Sequence, residues 1–199
     1  MGRISKILYQ KSNLVICILL TTIMVVYASI VMGSQSKCIS DELTNGLSLL
    51  GLRFGYDIDT VSILFNSISE NALLCYSKLL SIWDNIFPFI YGTMYIFWLS
   101  FIYKNRIFKK KVLSLINLYP VIPVVLDLIE NYFENILIRQ FISMNNIIEL
   151  NVKIASIVTQ IKWTLSTINY LIIIIGIVII IKNKNRTTRH KTKEGDLAL

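Results

Sequence analysis

Four long apolar runs limit what this chain can fold into more than any other feature. Residues 14–32 and 86–103 contain no charged side chain. Residues 112–138 are apolar with acids confined to the later half, and residues 151–181 end in Ile and Val around Gly176. As a helix, an apolar run of about 20 residues crosses a hydrocarbon layer about 30 Å thick. In that layer the backbone finds no water and must bond to itself, which selects helices. The alternating ten-residue segments of a membrane barrel do not occur in the sequence. Charged residues make up 16 % of the chain and mean hydropathy is +0.61, whereas a water-soluble domain carries about 25 % charged residues. The expected fold is all-α: a four-transmembrane-helix bundle forming a single membrane domain over residues 1–181.

The charges predict how such a bundle would sit. Net charge is +8, and fourteen of the twenty Lys and Arg fall in three clusters: residues 3–11, 104–111 and 182–193. With four spans these clusters share one side. The 33–83 segment holds three basic residues against five acids, so the positive-inside rule puts both termini in the cytoplasm and residues 33–83 outside. A cell membrane is the expected location. The first run also resembles a signal peptide. Its length of about 19 residues exceeds a usual h-region and no A-x-A site follows, which favours a retained anchor. Residues 182–199 are expected to form a basic, disordered cytoplasmic tail able to lie on anionic headgroups. No nucleic-acid motif separates the basic clusters, so no nucleic-acid partner is expected.

Between the first two runs, Arg53-Phe54-Gly55-Tyr56 reads as a turn, with Asp57 or Asp59 as a helix cap. From Val61 to Trp83 apolar residues recur every three or four positions, which predicts one amphipathic helix on the membrane surface or capping the bundle. Cys38 and Cys75 lie in this segment, where an oxidising compartment would allow a disulfide. Their spacing alone does not decide whether they are bridged. Cys17, inside the first run, reads as a packing residue.

The chemistry-bearing pattern lies in the third run. Asp127, Glu130, Asn131 and Glu134 are offset by 0, 3, 4 and 7, which stacks them on one helix face. An ionised side chain at mid-membrane costs about 2.5–3.5 kcal/mol on insertion scales, so this face needs a partner. Lys162, in the fourth run, is the expected partner of Asp127 or Glu130. Asn169 and Tyr170 follow it by two turns, and Asp84 and Tyr91 open the second run from the same side. These residues define a candidate polar cluster in the outer half of the membrane. Glu134 reads as a solvated acid at the interface. Pro120 and Pro123 predict a kink in the third span. The single His190 lies in the tail and no metal-ligand spacing occurs, so neither metal nor cofactor is expected. Nucleotide-binding and hydrolase motifs are absent from the sequence.

Phe54-Gly55-Tyr56, Asp84-Asn85-Ile86-Phe87-Pro88 with Tyr91, Pro123 with Asp127-Leu128-Ile129-Glu130-Asn131, and Ala155-Ser156 with Thr159, Lys162 and Trp163 resemble features of a family. It comprises small, uncharacterised, mostly bacterial four-span membrane proteins with an Asp-x-x-Glu-Asn element in the third span. The resemblance covers roughly residues 50–180 and implies an architecture and a shared polar site, not an activity. Three roles stay open for the cluster. It fixes helix register, binds a lipid, small molecule or partner subunit (a homo-oligomer included), or serves catalysis on a lipid or cation-coupled transport.

Overall fold

The structure is a computed structural model and describes residues 3–43, 46–104 and 116–196. Regular structure among the described residues is entirely helical. A short helix α1 (Arg3–Lys11) precedes α2 (Leu14–Gln35), which begins where the Asn13 side chain accepts the Ile16 N–H at 2.9 Å. A one-turn α3 (Lys37–Ser40) leads to a strap that contains the tight turn Leu50–Leu52. Then follow α4 (Ile58–Ser67), α5 (Glu70–Lys78), a widened π-helical turn (Leu79–Trp83) and α6 (Asp84–Lys104). The chain finishes with α7 (Val121–Met144) and α8 (Glu149–Asp196), joined through Asn145 in the left-handed conformation at φ 47°. Three helices, Leu14–Gln35, Glu70–Ile102 and Glu149–Lys182, are long and apolar enough to cross a membrane.

The third of the expected spans takes a different form. Its helix starts at Val121 and continues to Met144, past the expected end at residue 138, while residues 112–115 lie outside the described residues. Pro120 caps this helix and Pro123 sits in its first turn. There the missing proline N–H has no intrahelical acceptor to serve. The two prolines therefore start the helix instead of kinking it. Proline's cost appears in α6 instead. Pro88 has no N–H for the Asp84 carbonyl four residues back, and the π turn ending at Trp83 directly precedes that site.

The amphipathic helix expected over residues 57–83 is two helices broken at Ile68. Asp57 caps the first, accepting the Thr60 N–H at 2.8 Å, and Ser69 caps the second, accepting the Ala72 N–H at 3.2 Å. Both bury their apolar sides: Val61, Leu64, Phe65, Leu73 and Tyr76 join Leu137, Ile138, Val152 and Ala155 in one core. Cys38 and Cys75 are joined, with Cα atoms 6.5 Å apart, tying α3 to α5. The tail expected to be disordered from residue 182 continues α8 to Asp196. No proline interrupts it, and extending an existing helix avoids the cost of nucleation.

The bundle has two distinguishable ends. At one, the Ser5 hydroxyl donates to Asn117 at 2.8 Å, Asn117 donates to Ser100 at 2.9 Å, and Lys104 reaches the Ser12 carbonyl at 3.3 Å. At the other, the Tyr27 hydroxyl donates to the Trp83 carbonyl at 2.8 Å and Ser77 donates to Asn135 at 2.6 Å. Between them α6 and α7 approach closely at Gly92, where an added Cβ would come 2.4 Å from Val124 Cγ2. Small residues at such crossings let membrane helices pack backbone to backbone.

Candidate functional site

The polar residues of α7 face inward. Asp127, Glu130, Asn131 and Glu134 are all buried, although Val121, Ile122, Val125, Ile129 and Tyr132 on the same helix are exposed. The offsets of 0, 3, 4 and 7 carry the acids up one stripe. Lys162 meets that stripe from α8, the helix that packs most extensively against α7. Its Nζ lies 3.0 Å from Asp127 Oδ1 and also pairs with Glu130 Oε2.

Each acid in the stripe has a different set of partners. Asp127 is saturated, because the Tyr91 hydroxyl from α6 donates to Oδ2 at 2.8 Å. Glu130 takes the Thr159 hydroxyl on Oε1 at 2.6 Å. Glu134 was expected in solvent at the interface and is instead fully buried. It accepts the Tyr76 hydroxyl on Oε2 at 2.5 Å, while its Oε1 has no hydrogen-bond partner. An ionisable oxygen left this way costs free energy unless something else meets it. The Tyr76 hydroxyl also accepts the Leu50 N–H at 3.1 Å, and the Trp163 indole donates to the Gly51 carbonyl at 3.2 Å. The strap is thereby pinned over the acids. A Cβ on Gly51 would lie 3.5 Å from Glu134 Oε1 and 3.7 Å from Glu130 Oε1.

Beside this stripe lies a half-open cavity of about 400 Å³, within the size range of small-molecule sites. Asp84, Asp127, Glu134 and Lys162 supply its ionisable groups; Tyr91, Tyr95, Trp163 and Tyr170 supply aromatic surface. Ala28, Met32 and Gly33 from the end of α2, with Leu79, Leu80 and Phe87, supply the apolar wall. Both π-helical segments, Tyr27–Met32 and Leu79–Trp83, contribute residues to it. Such turns recur at functional sites because they redirect side chains that a regular helix would stack. The cavity lies toward the end of α2 remote from residue 14 and toward the start of α6.

The remaining candidates divide between cavity wall and interior. Asp84 lines the cavity half-buried, and its carboxylate makes no hydrogen bond or ion pair among the described residues. Tyr170 also lines it, edge-on to Tyr95 with ring centroids 5.0 Å apart. Asn131 contacts Asn85 at 3.4 Å, behind the wall. Asn169 is fully buried, does not reach the cavity, and leaves both amide atoms unpartnered. Tyr76 and Gly51 were not legible as site residues. Tyr76 looked like one apolar position in an amphipathic repeat, and only tertiary folding brings the strap to the acids. No group of three or more His, Cys, Asp or Glu among the described residues could hold a metal ion. No family model, curated protein or solved structure matches the chain.

Proposed function

We propose that this chain is a four-span integral membrane protein that takes a small amphiphile into the cavity beside the α7 acids. It works by binding, without chemical conversion of the ligand. One observation carries this reading: buried charge and exposed apolar surface occur on the same helix, next to an empty volume. The exposed side of α7 is apolar from Val121 to Tyr132 while its acids are buried. That arrangement suits a helix bathed in hydrocarbon and opposes what water would select. On this reading α7 is the fourth span beside the three apolar helices. Residues 33–83 lie outside, where the Cys38–Cys75 bridge fits an oxidising compartment. Both termini are cytoplasmic. The first span is retained, because Trp98 donates to Thr21 at 2.9 Å and Tyr27 to Trp83, contacts that tie α2 into the bundle. The resemblance to four-span bacterial membrane proteins belongs to the same proposal.

A register-fixing role alone needs the Lys162 pairs but no cavity. Ligand binding also uses the half-open volume and the two π turns that border it. Gly33 offers a direct test, since it lines the cavity and an added Cβ there meets nothing within 4 Å. Wild type purified in a neutral detergent should retain an amphiphile detectable by mass spectrometry, and Gly33→Leu should lose it. Equal recovery from both proteins, or none from wild type, would overturn the proposal.

A further inference from the structure

We infer that the cavity selects an organic cation carrying an apolar tail, an alkylammonium group whose charge is met by Glu134 and Asp84. This rests on the ligand-binding reading above and adds the chemistry of the head. Among the described residues Lys162 is the only cation in the cavity wall, and it is already divided between Asp127 and Glu130. Glu134 and Asp84 line the same cavity, and neither forms an ion pair among the described residues. Glu134 is fully buried and its Oε1 is left without a hydrogen bond, so the wall holds a strong acceptor that the protein itself does not use. Tyr91 adds aromatic surface to the wall, and aromatic faces attract ammonium groups when water is excluded. The apolar wall of Leu79, Leu80 and Phe87 suits an alkyl chain. A head that carries negative charge alone, such as a sulfate, would instead face these carboxylates with no ammonium to offer them.

The test uses the full chain in nanodiscs of digalactosyldiacylglycerol, a lipid without an ammonium group, titrated calorimetrically with decylammonium, decanol and decyl sulfate. Decylammonium should bind saturably and at least tenfold tighter than decanol, and decyl sulfate should show no saturable binding. Because a hydrogen bond to a charged group is worth about 1.5–3 kcal/mol, Glu134→Gln and Asp84→Asn should each weaken decylammonium roughly tenfold or more and affect decanol much less. Should Glu134→Gln fail to fold, Asp84→Asn still decides the matter, since Asp84 is half-buried and its carboxylate has no hydrogen bond to lose among the described residues. Repeating the titration in discs doped with phosphatidylethanolamine separates two sources of the same head. Competition there assigns the site to an aminolipid, undiminished binding assigns it to a free amphiphilic amine, and either supports the inference. Equal affinity for decylammonium and decanol would overturn the cationic head while leaving amphiphile binding intact. No saturable binding of any probe would overturn both.

Discussion

Helices α4 and α7 bury opposite kinds of side chain. On α4 the core takes Val61, Leu64 and Phe65, while Asp59, Asn66 and Ser67 face out. On α7 the core takes Asp127, Glu130, Asn131 and Glu134, while Val125, Ile129 and Tyr132 face out. One chain thus contains an ordinary amphipathic helix and an inverted one, and they meet where Leu137 and Ile138 pack with Leu64 and Phe65. The difference shows how the surrounding medium shapes a sequence. Water rewards polar exposure on α4, and hydrocarbon, on the reading proposed here, rewards apolar exposure on α7. The inverted helix must then neutralise its own interior, which is the task of Lys162.

The largest expected effect follows from removing that neutralisation. Lys162→Met leaves Asp127 and Glu130 buried without a cation, and losing one partner of a buried pair costs roughly 3–5 kcal/mol. Thermal unfolding of the detergent-solubilised protein should show a large drop in midpoint. Adding Asp127→Leu and Glu130→Leu to the same chain should recover most of it, because an apolar replacement of a whole buried cluster is often neutral. A triple variant as unstable as the single one would contradict this account of the pairing.

The ordinary end of the molecule depends on a covalent tie. Cys38 and Cys75 close a loop with a sequence separation of 37, and opening a loop of that size is expected to cost roughly 3–4 kcal/mol. Reduction should therefore loosen α3 and α5, seen as faster amide exchange at Ile39 and Leu73, while exchange in α6 near Ile102 stays slow. Uniform loosening would show that the two ends are not separable.

A smaller effect is expected at the junction of the two regions. Tyr76→Phe removes the one hydrogen-bond donor that Glu134 has among the described residues, at a cost of about 1–3 kcal/mol. It also releases the Leu50 N–H, so proteolysis or exchange should increase at the strap before α7 loosens.

The smallest effect is a pH dependence at the start of α5. The backbone N–H of Ser69 and then its hydroxyl donate to Glu42, at 2.6 and 2.7 Å, and hold its carboxyl below the usual 4.5. A carboxyl with a depressed folded value stabilises the fold above its unfolded value, and loses that contribution as pH falls through the folded one. Wild type should exceed Glu42→Gln in stability near neutral pH, and the gap should close below pH 4.5. A constant gap would remove the carboxylate from the explanation.

Much of the inverted helix was legible in the sequence, because acids spaced 0, 3, 4 and 7 in an apolar run specify one face whatever surrounds it. The identity of the opposing cation followed from scarcity, Lys162 being flanked by an apolar helix pattern. Other features were hidden for physical reasons. The break at Ile68 escaped because the apolar period runs through it, although Ser69 is a good cap. The helix start at Val121 escaped because proline reads either as a kink or as a first-turn residue. Tyr76 and the strap reach Glu134 only by tertiary packing across 58 residues of chain, which no local pattern records.

The contrast between α4 and α7 can be measured with spin labels at Ile63 and Ile129, both exposed, in separate single-cysteine-labelled proteins reconstituted in lipid. Oxygen concentrates in hydrocarbon, and a nickel chelate stays in water. The account predicts that a label at Ile129 relaxes with oxygen and is shielded from the chelate, with the balance shifted toward the chelate at Ile63. Free access of the chelate to Ile129 would contradict it, because α7 would then expose its apolar side to water.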